Sequence, residues 1–240
     1  MKKYKDLFID FDDTLYDTHG NACIVLEELF EHFGLAKWFA DPAQFYDEYW
    51  KTNVLLWTQY AAGEIDREYL IVERFRRPLA VGVATDGEKF SPSREFCLEV
   101  SDFFLDSCSQ KSGVIEGAHE LMEHLRSKGY GLHLCSNGFH EVQYKKLKAS
   151  HLLDFFDTII LSEDAGANKP SAQFFDYALQ QSGAERASTL MIGDNFVTDI
   201  QGARSSGIDA MFLNRFPQNF TAPEKVEFEV NSLREIMAIL

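Results

Sequence analysis

Hydrophobic positions along this chain follow two different patterns. Short apolar runs that end in polar or small residues are typical of strands buried on both faces of a parallel sheet. Five such runs occur, at residues 7–9, 132–135, 158–161, 190–192 and 210–213. Between the later runs, helices are predicted at the amphipathic stretches 118–128, 140–150, 171–182 and 198–206. Three of these stretches are closed by a glycine, which is a helix stop signal. From about residue 114 onward the pattern therefore predicts a doubly wound α/β core, a Rossmann-like parallel sheet.

The region between the first and second runs has a helical pattern. One apolar stripe has helical spacing and consists of Ala22, Val25, Leu26, Leu29, Phe30 and Phe33. Asp41-Pro42 has the form of a helix cap followed by proline at the first helical position. Further helical stretches are predicted at 66–79 and 93–108, and no strand is predicted. We therefore expect a core formed by residues 1–16 and 113–240, with a helical domain of residues 17–112 inserted after the first strand.

Composition and charge narrow the range of partners. The chain has 45% hydrophobic and 25% charged residues, the ordinary values for a globular protein. Its 23 basic and 38 acidic residues give a net charge of −15, which disfavours nucleic-acid polymers and anionic membranes as partners. The four cysteines form no CxxC pair, and the apolar run before Asp10 has only three residues, too few for a signal peptide or a membrane span. We expect a cytoplasmic protein, monomeric or homodimeric.

Candidate catalytic residues follow the predicted strands. Asp10 and Asp12 come directly after the first apolar run, and side chains at i and i+2 point to the same side while strand geometry persists. In open α/β sheets, ligands bind beyond the carboxyl ends of the strands. An acidic turn at a strand end would explain this pair equally well if it stood alone.

Three further segments place chemically suitable groups after other strands. Ser136-Asn137-Gly138 offers a hydroxyl, an amide and a glycine that lets backbone N–H groups approach an anion. Lys169 precedes a proline-started helix, and Asp194 and Asp199 follow the fourth strand. Together with Asp10 and Asp12, these residues place acidic and anion-binding groups together at the carboxyl ends of the strands.

The order of the motifs DFDDT (10–14), SNG (136–138), NKP (168–170) and GDNFVTD (193–199) resembles the haloacid dehalogenase superfamily over essentially the whole chain. The insertion resembles the helical cap of its first subclass. The segments 136–139, 155–170 and 174–179, with LWTQYAAG (56–63) in the insertion, are similar to the bacterial pyrimidine 5′-nucleotidase branch. The segment 198–202 is similar to the N-acylneuraminate-9-phosphatase branch.

The resemblance implies a Mg²⁺-dependent phosphomonoester hydrolase. Asp10 would be the nucleophile that becomes an aspartyl-phosphate, and Asp12 the general acid and base. The metal ligands would be Asp10, the backbone carbonyl of Asp12 and Asp194, with Asp199 orienting Lys169 or a metal-bound water. The phosphate would be held by a set of residues that also includes the catalytic lysine: Phe11, Ser136, Asn137, Gly138 and Lys169.

More than one reaction is compatible with these motifs. An acid at position 12, with Asp194 and Asp199, favours phosphate over a carbon–halogen bond, because the dehalogenases of the superfamily have no acid there. The substrate would be a small phosphomonoester. A nucleoside 5′-monophosphate is predicted, with a sugar phosphate or a phosphomutase reaction as alternatives, and a silent binding protein as an alternative of another class. Trp57 and Tyr60 could stack on a base, although helix packing also explains aromatic residues in the insertion.

Overall fold

The computed structural model describes residues 4–240, so the two lysines at positions 2 and 3 lie outside the described residues. The chain forms two compact units. The core unit comprises the chain up to Thr18 and resumes at Lys111, and the helical unit comprises His19–Gln110.

The core unit is built on one parallel sheet. Its strands are β1 (Asp6–Ile9), β2 (Gly131–Ser136), β3 (Thr158–Leu161), β4 (Thr189–Gly193), β5 (Asp209–Leu213) and β6 (Phe228–Val230). Their order in the sheet is β3-β2-β1-β4-β5-β6, and all neighbouring pairs are parallel. The predicted Rossmann-like sheet is confirmed, with β6 added at one edge.

Residues 4–240 contain ten α-helices and a π-helical segment. They are α1 (Thr18–His32), α2 (Pro42–Ala61), α3 (Arg67–Ala80), α4 (Arg94–Ser109), α5 (Ala118–Ser127), α6 (His140–Ala149), α7 (Ser162–Ala165), α8 (Ala172–Ser182), α9 (Gly202–Ser205) and α10 (Leu233–Ile239). The π-helical segment is Phe196–Gln201, directly before α9. None of the described helices has both the length and the apolar composition of a membrane span.

Successive residues of a strand point to opposite faces of the sheet, and each face packs into its own hydrophobic cluster. On β1, Leu7 and Ile9 belong to one cluster together with residues of α5 and α10. Phe8, between them, belongs to the second cluster, which includes residues of α8. Since both faces are covered, most residues inside the strands are apolar, and polar side chains lie mainly at the strand ends.

The helical unit packs α1–α4 around its own core, which is rich in aromatic side chains. Three of its helices begin where the sequence predicts. Asp41, Asp66 and Ser93 each accept a backbone N–H of the first turn with their side chain, and Pro42 occupies the first helical position of α2. These caps satisfy N–H groups that have no partner within the helix.

Arg74 on α3 is buried in the helical unit and forms no ion pair with any residue of 4–240. Its side chain packs beside the rings of Phe75 and Phe104, with its guanidinium carbon 5.5 and 5.0 Å from their centres. Within residues 4–240, Nε and Nη2 of Arg74 have no hydrogen-bond acceptor, although Arg74 is only 3% exposed. On the neighbouring Arg76 the same two nitrogens bind Glu73, at 2.6 and 2.8 Å.

Replacing Arg74 with methionine is expected to raise the free energy of unfolding by about 1–2 kcal/mol, because a buried donor without an acceptor costs stability that an apolar side chain of similar length does not. Urea unfolding followed by circular dichroism measures the change. Arg76→Met is the matched control and should lower stability slightly, since it removes an ion pair. A loss of stability in Arg74→Met larger than in Arg76→Met would contradict this account.

Candidate active site

Asp10 lies directly beyond β1, the strand in the middle of the sheet. Its backbone N–H donates to the carbonyl of Ile192 at 2.9 Å, which extends the strand pairing by one residue. Asp10 is only 7% exposed, and its carboxylate is bound on both oxygens. Oδ1 accepts a hydrogen bond from Nζ of Lys169 at 2.7 Å, and Oδ2 accepts one from Oγ1 of Thr14 at 3.0 Å.

Lys169 is a fully buried cation that is held by three acceptors. Besides Asp10, its ammonium donates to Oδ1 of Asp199 and to the carbonyl of Cys135, each at 2.7 Å. Burial alone would lower the pKa of Lys169, but the charges of Asp10 and Asp199 raise it above its ordinary value. Burial raises the pKa of Asp10 to about 7 against the opposing effect of Lys169. The ammonium thus favours the ionised form of Asp10 that a nucleophile requires.

Asp199 reaches Lys169 from the π-helical segment that follows β4. Asn195 starts this segment by accepting two backbone N–H groups with its side chain, and its own N–H donates to Oδ2 of Asp199 at 3.0 Å. The wider turn of a π-helix changes which residues face inward, and such turns are frequent at functional sites. The carboxylate packs directly against Gly193, where a Cβ atom would lie 2.2 Å from Oδ2 of Asp199.

Gly193→Ala is expected to lower the free energy of unfolding by about 1–3 kcal/mol and to reduce turnover, since the added methyl collides with a carboxylate that is held on both oxygens. Gly183→Ala is the control: it has a φ of 69° and open space around its Cα. It should cost about 1 kcal/mol of backbone strain and leave turnover unchanged. Thermal unfolding and phosphate release measure the two effects. Equal turnover in both variants would contradict the proposed collision.

Asp194 adds a further carboxylate to this cluster. Its backbone N–H donates to Oγ1 of Thr14 at 3.1 Å, and its Oδ1 lies 3.1 Å from the same hydroxyl. Oxygen atoms of Asp10, Asp194 and Asp199 all lie within 4.8 Å of one another. Burial, followed by the charges of Asp10 and Asp199, raises the pKa of Asp194 well above its ordinary range.

The composition of this cluster fits a divalent cation. Three carboxylates and one ammonium, that of Lys169, carry a net charge of −2 when all are ionised. Carboxylate oxygens are the ligands that Mg²⁺ prefers, and a bound cation would relieve the repulsion that raises the pKa of Asp194. The donor set therefore fits Mg²⁺.

Asp12 is bound to different partners from Asp10. Its Oδ1 accepts hydrogen bonds from Oγ1 of Thr18 and from Nζ of Lys146, and its Oδ2 accepts one from Nε2 of Gln143, all at 2.6 Å. Burial would raise the pKa of Asp12, but Lys146 together with the other two donors lowers it below the ordinary value. The structure thus holds Asp12 as a carboxylate, which can accept a proton.

The segment 136–138 lies at the carboxyl end of β2, where Gln143 connects it to Asp12. Oγ of Ser136 accepts hydrogen bonds from the backbone N–H of Gly138 at 3.0 Å and from the side chain of Gln143 at 2.7 Å, which leaves its own proton available to donate. The side chain of Asn137 binds the backbone of Lys169 in both directions, at 2.8 and 3.0 Å. Asn137 thus ties the loop that carries Lys169 to the end of β2.

Most of the sequence-predicted site residues are therefore brought together in the core unit, although their roles stay predictions. Phe11 is fully buried and stacks on Tyr16, with ring centres 5.3 Å apart. Trp57 and Tyr60 belong to the helical unit, where their half-buried rings pack edge to face at 5.6 Å. Their contact with a substrate stays a prediction.

Sequence reasoning missed the donors that bind Asp12. Gln143 and Lys146 are three residues apart on α6, and both are buried beside Val142 and Leu147. Polar residues at helical spacing on an otherwise apolar face were the available signal. Thr14, which lies between Asp10 and Asp194, was also missed, although it ends the first motif.

Known proteins resemble this chain over nearly its full length. Pyrimidine 5′-nucleotidase PynA of Streptococcus pneumoniae is 29% identical, covering 99% of this chain and 95% of PynA. Pyrimidine 5′-nucleotidase YjjG of Escherichia coli is 27% identical, covering 99% of this chain and 98% of YjjG. HAD-hydrolase YfnB of Bacillus subtilis is 31% identical, covering 100% of this chain and 97% of YfnB.

The fold agrees with these similarities. A crystal structure of YfnB, described as bound to magnesium, matches this structure with a TM-score of 0.85, at 26% identity and over 99% of each chain. The family described as haloacid dehalogenase-like hydrolase matches residues 4–207. The chain therefore belongs to the haloacid dehalogenase-like hydrolase family, and the predicted class of enzyme is confirmed.

Proposed function

We propose that this protein hydrolyses nucleoside 5′-monophosphates through an aspartyl-phosphate on Asp10. The observation that carries the proposal is the separation of two carboxylates at one strand end. Asp10 binds Lys169 within the acidic cluster, whereas Asp12 has its own set of three donors. A nucleophile and a separate acid–base group are what two-step hydrolysis of a phosphate ester requires.

The reaction then has two displacements at phosphorus. In the first, an oxygen of Asp10 bonds to phosphorus, the bond to the ester oxygen breaks, and the protonated form of Asp12 supplies a proton to that oxygen. In the second, water attacks the aspartyl-phosphate while Asp12 takes its proton, and phosphate leaves with Asp10 restored. Lys169 and the hydroxyl of Ser136 would stabilise charge on the phosphoryl oxygens.

The same proposal includes Mg²⁺, held by Asp10, the backbone carbonyl of Asp12 and Asp194. When bound, Mg²⁺ would supply positive charge that offsets the repulsion between a phosphate dianion and the carboxylates. The support comes from the charge of the acidic cluster and from the magnesium-bound relative of 26% identity.

The substrate class rests on the relatives and on the helical unit. Two relatives that match nearly the whole chain are named pyrimidine 5′-nucleotidases. We assign residues 17–112 as a cap domain that selects the leaving group, with Trp57 and Tyr60 as candidates for stacking on the base. Base–aromatic stacking contributes about 1–3 kcal/mol in proteins that bind single strands.

The test is phosphate release from a panel of nucleotides, sugar phosphates and phosphoglycolate, with Mg²⁺ and with EDTA. We expect release that requires Mg²⁺, with dUMP or TMP as the best substrate. A sugar phosphate as the best substrate would keep the chemistry and overturn the substrate class. No release from any compound, by protein shown to be folded, would overturn the proposed function.

A further inference from the structure

The proposed reaction gives no role to Gln143 and Lys146, yet both bind the carboxylate of Asp12. The ammonium of Lys146 and the amide of Gln143 each donate to a different oxygen of Asp12 at 2.6 Å. The only other donor to this carboxylate among the described residues is the hydroxyl of Thr18, also at 2.6 Å. Both oxygens are thus held, which fixes the position and the rotation of the group.

Burying these two polar side chains on one face of α6 lowers the stability of the fold. Lys146 is 8% exposed and Gln143 is fully buried. Within residues 4–240, Oε1 of Gln143 has no hydrogen-bond donor, a cost that an apolar residue at this position would not have. Packing alone would favour apolar side chains like those of Val142 and Leu147, so the benefit of Gln143 and Lys146 lies in what they bind.

The surrounding chain is shaped to admit the amide of Gln143. Besides Asp12, this amide donates to Oγ of Ser136 at 2.7 Å, so that one group connects Asp12 to the end of β2. A Cβ atom at Gly138 would lie 2.4 Å from the amide nitrogen and carbon of Gln143. Glycine at this position therefore leaves the space that Gln143 occupies.

Lys146 has a second neighbour that restricts its motion. Its ammonium lies 5.1 Å from the ring centre of Tyr16, whose hydroxyl donates to the carbonyl of Lys111 at 2.9 Å. The ring is fully buried and stacked on Phe11. A cation held between a fixed ring and the carboxylate of Asp12 has little freedom to move away.

We infer that Gln143 and Lys146 are positioning residues of the phosphatase reaction, an inference that rests on the proposed function. They hold Asp12 so that its carboxyl group transfers a proton at the ester oxygen as the bond from phosphorus to that oxygen breaks. Proton transfer depends on hydrogen-bond distance, and a displacement of about 1 Å can cost on the order of 10²-fold in rate. Neither residue is placed to contact the phosphoryl group in this assignment.

The inference predicts a loss that depends on the leaving group. Nitrophenolate departs from p-nitrophenyl phosphate without a proton, whereas the alkoxide of dUMP needs one. Lys146→Met and Gln143→Leu should therefore lower the rate of the first displacement, measured in a single turnover, by about 10–10²-fold for dUMP and little for p-nitrophenyl phosphate. Hydrolysis of the aspartyl-phosphate, in which Asp12 takes a proton from water, is common to both esters and should be slowed equally for both. In the Asp12→Asn background neither variant should lower kcat further, because residues that act as a unit are not additive.

Two controls accompany these variants. Lys148→Met removes an exposed lysine from the same helix and should keep wild-type kcat on both esters. Lys146→Arg keeps a cation and should recover part of the loss on dUMP. Equal losses on both esters in the rate of the first displacement, a rise in KM alone, or full additional losses in the Asp12→Asn background would overturn the inference. Absence of turnover by the wild type would overturn the proposed function and this inference with it.

Discussion

Asp10→Asn is expected to reduce phosphate release by roughly 10⁴–10⁶-fold, the scale on which loss of a nucleophile acts in other hydrolases. An amide cannot attack phosphorus, yet it has the shape of the carboxylate. Its oxygen can still accept from Lys169 and its nitrogen can donate to Thr14, so both contacts of Asp10 have a replacement. The variant also removes one of three clustered carboxylates, and we therefore expect stability no lower than that of the wild type.

Phosphate release and thermal unfolding with Mg²⁺ present measure the two expectations. Asp6→Asn is the matched control, because Asp6 is the first residue of β1 and Asp10 follows its last. Asp6 binds His133 at 3.3 Å, so a small loss of stability with full activity is expected there. Activity in Asp10→Asn within tenfold of the wild type would contradict Asp10 as the nucleophile.

Lys169→Met is expected to have the largest effect on stability. It would leave Asp10 and Asp199, both buried, without the cation that binds them at 2.7 Å. Removing one partner of a buried ion pair costs about 3–5 kcal/mol, because the remaining charge is uncompensated. Turnover should fall by about 10²–10³-fold or more, since a donor to the phosphoryl oxygens is lost as well.

Urea unfolding measures how much stability is lost because the carboxylates are left without a cation. Adding Asp199→Asn to Lys169→Met removes one of the two uncompensated carboxylates. The double variant should therefore lose less free energy of unfolding than the two single variants lose together. Lys148→Met, which removes an exposed lysine, should leave stability within about 0.5 kcal/mol of the wild type. If Lys169→Met were as stable as that control, the buried charges would not depend on Lys169 as the geometry indicates.

The sequence predicts features that depend on local pattern. Apolar runs identified five of the six strands, and the caps at Asp41, Asp66 and Ser93 marked three helix starts. β6 was missed because it has three residues, of which only Val230 is buried, too few to show a period. The last helix, α10, has only seven residues and was missed as well.

Features that depend on tertiary packing were not predictable. A helix was expected from residue 198 to 206, but the structure begins it at Phe196 with a π-helical segment. The 3.6-residue period of a pattern does not reveal a wider turn, which here accompanies the capping by Asn195 and the hydrogen bond from Asn195 to Asp199. The contacts of Gln143 and Lys146 with Asp12 span more than 130 positions of sequence, which no local period records.

The position of β1 in the sheet has a consequence for how the chain is made. β1 leaves the ribosome before the other five described strands, and its neighbours begin only at Gly131 and Thr189. The helical unit, His19–Gln110, is synthesised in between and has its own apolar core, so it can fold while β1 still has both edges unpaired. An unpaired apolar strand invites pairing with other chains. We therefore expect the nascent protein to be most prone to aggregation between synthesis of the helical unit and of β4, and least so once β1 is enclosed.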